Sequence, residues 1–238
     1  MRTEEFDYEL PESLIAQDPI MPRDASRLLY LAATPESETC EHFDLIFHDL
    51  DSLVGPGDLL VFNNSRVIPA RLLGRREGLK REVEIFLLHP MANGHWTCMA
   101  RPGRRLKPGH EVTFPHQMKA KIERILPDGL REVSFAYEGS WDEALARNGE
   151  VPLPPYIKHD LDDPERYQTV YSKIKGSVAA PTAGLHFTPE LIQACKAKGA
   201  KTAEVTLHVG LGTFRPVNEE NIEEHTMHKE FCTLDRAT

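Results

Sequence analysis

The sequence has only four cysteines, and they lie far apart in the chain. They form no Cys-x-x-Cys pair, which argues against a disulfide scaffold and against a four-cysteine zinc site. No apolar stretch is long enough to cross a bilayer, and we find no internal repeat or low-complexity tract. The N-terminal residues are acidic with no apolar run behind them, which predicts a chain without a secretory signal peptide. These absences favour a cytoplasmic protein that has no membrane partner.

Charge is unevenly distributed along the 238 residues. The formal net charge is -9, yet the segment 66–131 holds fourteen Lys/Arg and six Asp/Glu, a local net charge of +8. A basic segment within an acidic protein indicates a localised contact with a polyanion. The alternative is a solvated surface of mixed charge.

The hydrophobic pattern predicts an α/β fold with an inserted β domain. Apolar runs at 27–32 and 59–62 are typical of strands, and the second is typical of a strand covered on both faces. Between residues 67 and 150, six short strands separated by Gly, Pro, Asn and Asp indicate a small antiparallel β-barrel. We therefore expect residues 1–66 and 151–238 to form one α/β domain, interrupted by an inserted β-barrel domain at 67–150.

Three predicted helix starts follow the six predicted strands in the sequence. Ser140 and Glu143 have capping-box spacing, and Pro164 and Pro189 occupy the first helical position that proline favours. The segment 201–209 then alternates between apolar and polar side chains, which predicts a strand with one polar face that includes His208.

A polar loop, Asn63-Asn64-Ser65-Arg66, directly follows the second predicted strand. In open α/β sheets, ligands gather beyond the carboxyl ends of the strands. The amides of Asn63 and Asn64 and the guanidinium of Arg66 could therefore contact an adenine edge, a carboxylate or a phosphate. The structural alternative is a turn whose side chains cap its own backbone.

Two segments rich in glycine could form the close walls of a ligand site. The segment 176–187 is almost uncharged, and its His186 could act as an acid or a base near neutral pH or simply be a structural histidine. The segment 210–216 follows a predicted strand, but it lacks the third glycine of a dinucleotide fingerprint and a Walker lysine. The candidate ligand contacts in these segments are Thr182, Gly184, Gly212, Thr213 and Arg215.

His225-Thr226-Met227-His228 is the third chemical motif. A His-x-x-His pair could hold a metal, but this one lacks the His-Glu-x-x-His form of zinc hydrolases, and we expect no metal. His225 and His228 could instead exchange protons in an active site, or be surface histidines.

Two groups of residues indicate contact with nucleic acid. Tyr167 and Tyr171 are four residues apart in the helix predicted at 163, so they could share one helix face and stack on a base, or pack in the core. A turn of the predicted barrel concentrates cations that suit phosphate contacts. These cations are Arg101, Arg104, Arg105 and Lys107.

The motifs occur in an order that resembles one known family across essentially the whole chain. The matching segments are 6–11, 14–17, 26–29, 57–72, 101–106, 152–157, 166–171, 176–188 and 212–217. The family is the S-adenosylmethionine:tRNA ribosyltransferase-isomerases of queuosine biosynthesis. Ser65 stands where the family usually has threonine, a change that keeps the hydroxyl.

The resemblance implies a fold and a reaction. The implied fold is a three-layer α/β domain that carries an inserted small antiparallel β-barrel. The implied reaction transfers and isomerises the ribosyl moiety of S-adenosylmethionine, as co-substrate, to 7-aminomethyl-7-deazaguanine at the tRNA wobble position. The products are epoxyqueuosine-tRNA, adenine and methionine. Family members continue beyond residue 238, so we expect this chain to lack the family's C-terminal part.

Residue chemistry suggests roles within that reaction. Histidines suit the required proton transfers, and we rank them in the order His186, His228, His225 and His208. Arg66 or Arg215 could hold the methionine carboxylate, and Asn63 or Asn64 the adenine.

Two other functions fit the same residues. The first is a catalytically inactive fragment that acts only as an RNA-binding module. The second is a metal-dependent hydrolase that uses His225 and His228. For all three functions we expect a monomer.

Overall fold

The strands of the protein form four sheets within the residues that the structure describes. The computed structural model describes residues 1–32, 41–159, 161–214 and 217–236. The strands are β1 (Arg27–Ala32), β2 (Glu41–Ile46), β3 (Leu59–Asn63), β4 (Ser65–Val67), β5 (Arg71–Gly74), β6 (Val83–Pro90), β7 (Trp96–Arg101), β8 (Glu111–Thr113), β9 (Lys119–Ile125), β10 (Arg131–Ala136), β11 (Gly149–Glu150), β12 (Ile174–Ser177), β13 (Lys201–His208) and β14 (Phe231–Thr233).

Two α-helices, α1 (Trp141–Asn148) and α2 (Pro189–Ala197), begin where the sequence predicts. Ser140 Oγ accepts from the Glu143 N–H at 3.3 Å, and Thr188 Oγ1 accepts from the Leu191 N–H at 3.1 Å, so each cap satisfies a free helix donor. No helix in the described ranges has the length and apolar character that crossing a membrane requires. The 3-10 helices are Thr3–Phe6, Glu12–Leu14, Arg23–Ala25, Phe47–Ser52, Gly103–Arg105, Pro127–Gly129, Pro164–Tyr167, Thr182–His186, Leu211–Phe214 and Ile222–Glu224.

The helix predicted at residue 163 is only a short 3-10 helix, Pro164–Tyr167. Gln168 is extended after it, because its side-chain amide bonds both the N–H and the C=O of Val67, at 3.0 and 2.9 Å. This pairing ends the helix, so Tyr171 lies outside it. The prediction that Tyr167 and Tyr171 share one helix face is therefore wrong.

Seven strands between residues 71 and 150 form one antiparallel sheet, in the order β11-β5-β6-β7-β10-β9-β8. The sheet curls until β8 meets β5, because Arg75 and Thr113 exchange both of their backbone hydrogen bonds, at 2.8 and 2.9 Å. Closure of this kind pairs strand edges that would otherwise be free.

The inside of the curled sheet is the main hydrophobic core. Leu72, Ile85, Leu87 and Ile122 are fully buried there. Side chains alternate along β9, so its lysines point outward while Ala120 and Ile122 point inward. The apolar interior therefore directs the cations of this segment to the outer surface.

The remaining strands supply parallel pairing. β3 pairs in parallel with β13, and β4 with β12, whereas β1–β2 and β13–β14 are antiparallel. Leu191 and Cys195 of α2 are buried in a cluster that includes Leu60 of β3. The chain is thus α/β, as predicted, while the three-layer arrangement and the domain boundaries stay predictions.

The prediction that β3 is covered on both faces is wrong for the described residues. Phe62 is 7% exposed on one face, but Leu59 and Val61 on the other are each 55% exposed. Glu204 of β13 pairs with Phe62, so the polar side chains of β13 lie on the same side of the sheet as Phe62. Residues 202–208 are all half-buried, so the two faces of β13 do not differ clearly in burial.

The difference in burial between Leu87 and Leu59 leads to a prediction about stability. Leu87→Ala removes a fully buried side chain, and we expect a loss of about 2–5 kcal/mol in the free energy of unfolding, measured by urea denaturation. Leu59→Ala is the matched control, and we expect it to cost less than about 1 kcal/mol. Equal losses in the free energy of unfolding for the two variants would contradict the difference in burial between these leucines.

Candidate active site

The carboxyl ends of β3 and β13 lie side by side, because the two strands pair in parallel. The Asn63 side chain bridges them: its Nδ2 donates to the Leu207 carbonyl at 2.9 Å, and its Oδ1 accepts from the Leu207 N–H at 3.0 Å. These two side-chain hydrogen bonds extend the hydrogen-bond ladder between β3 and β13 beyond its last backbone pair. Asn63 Oδ1 also accepts from the Ser65 N–H at 3.1 Å, so this side chain caps the backbone of its own turn, as the structural alternative holds.

Asn64 belongs to a polar network on the same edge. Its Nδ2 donates to Glu204 Oε2 at 3.0 Å, and its Oδ1 accepts from the Thr206 hydroxyl at 2.7 Å. The Lys173 ammonium lies 2.7 Å from Glu204 Oε1. Lys173, and then Asn64, hold the pKa of Glu204 below its usual range, so the carboxylate stays ionised at neutral pH.

Arg66 connects the loop to the segment before β12. Its Nη1 donates to Ser172 Oγ at 3.1 Å, and its Nη2 forms an ion pair with Glu165. A ligand anion at Arg66 would have to compete with Glu165, which is 63% exposed and able to move away.

Three glycines of the predicted motifs make room for ring side chains of the protein itself. A Cβ on Gly176, whose φ is +143°, would lie 2.7 Å from Cε1 of His208. A Cβ on Gly184 would overlap the Tyr171 hydroxyl, and one on Gly212 would overlap the His228 ring. The glycines therefore allow these rings close approach to the backbone.

His208 is enclosed by this packing. Its ring stacks on Phe231 with centroids 5.7 Å apart, and its Nδ1 is buried with no hydrogen-bond partner among the described residues. Burial lowers the pKa of His208, so the ring is neutral near pH 7. A buried nitrogen without a partner is a feature that a bound ligand or water would satisfy.

His225 and His228 are each paired with a glutamate. His225 Nδ1 lies 3.0 Å from Glu219 Oε2, and His228 Nε2 lies 3.1 Å from Glu230 Oε1. The same Glu230 oxygen accepts from the Gly210 N–H at 2.9 Å, which brings His228 to the second glycine segment. Within the described ranges, no three His, Cys, Asp or Glu side chains lie close enough to hold a metal ion.

His186 lies at a different contact, against the N-terminal part of the chain. Its Nδ1 is 2.8 Å from Ser26 Oγ, and its ring packs against Phe47 with centroids 5.2 Å apart. Burial, followed by the charge of Arg166, lowers the pKa of His186, while the Arg23 carbonyl acts in the opposite direction.

An aromatic cluster joins the His186 region to the strand ends. Phe47 and Phe62 each pack edge-on against Phe187, and Phe62 also packs against Tyr171 with centroids 4.6 Å apart. Burial raises the pKa of Tyr171 to about 12. Tyr167 is buried in a separate cluster. Both tyrosines thus pack within the protein.

The other predicted ligand contacts are less enclosed. Thr182 and Thr213 are exposed. Arg215 lies outside the described residues.

The four predicted phosphate contacts lie on a separate part of the chain, on the turn 101–107 of the curled sheet. Arg104, Arg105 and Lys107 are exposed there, and Arg101, 68% exposed, is 3.8 Å from Glu84. We call this the cationic turn.

A buried guanidinium holds the cationic turn from beneath. Arg131, 6% exposed, donates from Nε to the Leu106 carbonyl at 3.0 Å and from Nη2 to the Gly103 carbonyl at 2.7 Å. Leu106 itself is fully buried. The turn therefore presents its cations from a fixed backbone.

An open cavity of about 1340 Å³ lies between the curled sheet and the segment 151–165. Of the predicted site residues, Arg66 and Arg101 line it. Other lining cations are paired, for example Arg71 with Glu84 at 2.8 Å. We place the candidate active site at the strand ends instead, because His208 and His228 lie there and the aromatic cluster joins this edge to His186.

Several residues of this site and of the cationic turn were not predicted from the sequence. Ser26, Lys173 and Glu204 at the site, and Arg131 beneath the turn, each act through a partner distant in the chain. The one available signal was Glu204, a carboxylate on the polar side of an alternating strand.

The close packing of the His208 ring against Gly176 leads to a testable prediction. Gly176→Ala should push the His208 ring toward water, so that the pKa of His208 rises toward its ordinary value in an NMR titration. Gly94→Ala is the control, because Gly94 also has a positive φ, +80°, but no neighbour within 4 Å of an added Cβ. A pKa of His208 that is the same in both variants would contradict this packing.

Comparison with known proteins identifies the family. A family model described as queuosine biosynthesis protein matches residues 3–238. Proteins named S-adenosylmethionine:tRNA ribosyltransferase-isomerase from Natranaerobius thermophilus and Moorella thermoacetica are each 51% identical to this chain, cover 100% of it and have 69% of their own length covered. The protein of that name from Desulfitobacterium hafniense is 50% identical, with 97% of this chain and 67% of the relative covered.

A solved structure is also similar. The crystal structure of the S-adenosylmethionine tRNA ribosyltransferase from Thermotoga maritima is 38% identical, with a TM-score of 0.34, and the match covers 86% of this chain and 58% of that one. This chain therefore spans about two thirds of the curated relatives and a smaller share of the solved chain. The chain belongs to the family of queuosine biosynthesis proteins, which confirms the family and the enzyme class that the sequence predicts.

Proposed function

We propose that the protein transfers and isomerises the ribosyl moiety of S-adenosylmethionine to 7-aminomethyl-7-deazaguanine at the tRNA wobble position. The products are epoxyqueuosine-tRNA, adenine and methionine. The observation that carries this proposal is the family match over residues 3–238, together with relatives of this name at about half identity. A tRNA substrate also supports a cytoplasmic location.

The chemistry of this reaction requires proton transfers that neutral histidines suit. The sulfonium acidifies the protons on the ribose 5′-carbon, so a base beside that carbon can begin the rearrangement. The aminomethyl group must lose a proton to become a nucleophile, and departing adenine must gain one. The lowered pKa values of His186 and His208 leave both rings able to accept a proton near pH 7.

We assign the base to His186 first, with His228, His225 and His208 as further candidates. His186 shares an aromatic wall with Tyr171 and the strand ends, which supports a common site. His208 gains support from its buried Nδ1, which has no hydrogen-bond partner in the part of the chain that the structure describes. His225 and His228 would have to leave or share their glutamates.

Substrate binding is proposed for the remaining strand-end groups. Asn63 or Asn64 would hold the adenine, and Arg66 or Arg215 the methionine carboxylate. Because both amides are engaged in β3–β13 contacts, adenine binding there would require an exchange of hydrogen bonds. The residue types present therefore suit the nucleoside and its carboxylate, and no metal is needed in this scheme.

The test of the proposed function is release of free adenine. Wild-type protein should release adenine from S-adenosylmethionine only when tRNA bearing 7-aminomethyl-7-deazaguanine is present, as measured by chromatography. Retention of tRNA on a filter without adenine release would instead indicate RNA binding alone. Stoichiometric zinc in the purified protein would favour the hydrolase.

His186→Ala provides the first variant. We expect single-turnover adenine release to fall by about 100-fold or more, the usual contribution of a positioned acid or base, while the affinity for tRNA stays the same. His89→Ala is the control, since His89 is exposed on β6. Unchanged turnover in His186→Ala would remove this residue from the mechanism.

We further propose that the cationic turn contacts phosphates of the tRNA. Its exposed cations and the local charge of +8 support this role, because phosphate contacts dominate affinity for nucleic acid.

The double variant Arg104→Ala/Arg105→Ala tests this contact. We expect weaker binding and a slope of log K against log salt that is smaller by roughly 1.5–2, the value for two lost phosphate contacts. Lys196→Ala/Lys198→Ala changes the net charge equally, at the C-terminal end of α2, and serves as the control. Equal slopes in the two double variants would rule out the contact.

A further inference from the structure

One short turn near the N-terminus, the 3-10 helix Arg23–Ala25 with the following Ser26, contacts the chain around His186. Arg23 donates from Nη1 to the Leu185 carbonyl at 3.1 Å and from Nη2 to the Glu165 carbonyl at 2.9 Å. The Thr188 hydroxyl, which caps α2, donates to Asp24 at 3.2 Å. The turn therefore fixes the backbone on both sides of His186.

Ser26 contacts the His186 ring itself. Ser26 Oγ lies 2.8 Å from Nδ1, and both side chains are partly buried. The Ser26 carbonyl accepts from the Phe47 N–H at 2.8 Å, and the Phe47 ring packs on the imidazole. The position of Ser26 thus determines both the hydrogen bond and the aromatic wall of this histidine.

The proposed role of His186 determines where the ring proton must lie. Nδ1 is occupied by the contact with Ser26, so Nε2 is the nitrogen that remains to accept a proton from a substrate. A neutral ring accepts a proton on Nε2 only when its own proton is on Nδ1, and the Ser26 hydroxyl can accept a hydrogen bond from that N–H.

We propose that Ser26 is a positioning residue for His186: its hydroxyl accepts from Nδ1–H, which leaves the lone pair of Nε2 free to take a proton from a substrate. This assignment rests on the proposed function, in which His186 is the base. The hydrogen bond on one ring nitrogen determines which tautomer the other nitrogen presents. Without an acceptor on Nδ1, a neutral imidazole prefers its proton on Nε2 and would then present a donor to the substrate.

The test is the tautomer of His186 in protein labelled with ¹⁵N-histidine, with the signal assigned through His186→Gln. We expect the proton on Nδ1 in the wild type and on Nε2 in Ser26→Ala. Adenine release in Ser26→Ala should show a kcat about tenfold lower at unchanged KM, the effect of one lost hydrogen bond. Ser26→Thr keeps the hydroxyl and should retain both the tautomer and the kcat.

Ser134→Ala is the matched control, because Ser134 is a half-buried serine of β10 with one side-chain hydrogen bond, to Glu123 at 2.6 Å. It should change neither the tautomer nor kcat. A proton on Nε2 in the wild type would overturn the proposal. So would a proton that stays on Nδ1 in Ser26→Ala, even if that variant is less stable than the wild type. Absence of adenine release in the wild type would overturn the proposed function alone, since the tautomer is measured without substrate.

Discussion

The parallel pairing of β3 with β13 is the constraint on which the candidate site depends. It joins parts of the chain about 140 residues apart, and the Asn63 and Asn64 side chains extend it to Leu207 and Thr206. Because parallel strands run in the same direction, Asn63 and Asn64 at the end of β3 lie beside residues 204–207 of β13. β12 joins the same edge through β4, and it brings Gly176 against His208.

The curled sheet meets a different physical demand. Its core is built from apolar side chains, and the buried Arg131 of β10 is stabilised because backbone carbonyls accept from its guanidinium. A fixed cationic turn suits attraction to a polyanion, which acts over several ångströms. Proton transfer requires contact distances and partly dry surroundings, and the histidines with lowered pKa values lie outside this sheet.

The candidate site was predictable in its residue types and much less so in its partners. Asn63, Gly176 and His186 stand out in the sequence because polar, small or titratable residues interrupt an apolar pattern. The partners of these residues are remote: Leu207 for Asn63, His208 for Gly176 and Ser26 for His186. The glycines illustrate the difference, since the sequence suggests a close ligand wall, whereas the backbone at these glycines is approached by the protein's own rings.

The sequence by itself determined the features that depend on neighbouring residues. The caps at Ser140 and Thr188, the strands at 27–32 and 59–62 and the resemblance of ordered motifs to one family are all local patterns. Only the tertiary structure decided that Gln168 ends the helix at Tyr167 by bonding Val67, and that Leu59 and Val61 of β3 are exposed. Such outcomes depend on contacts between distant segments, and their energies exceed the small local preferences that a sequence pattern records.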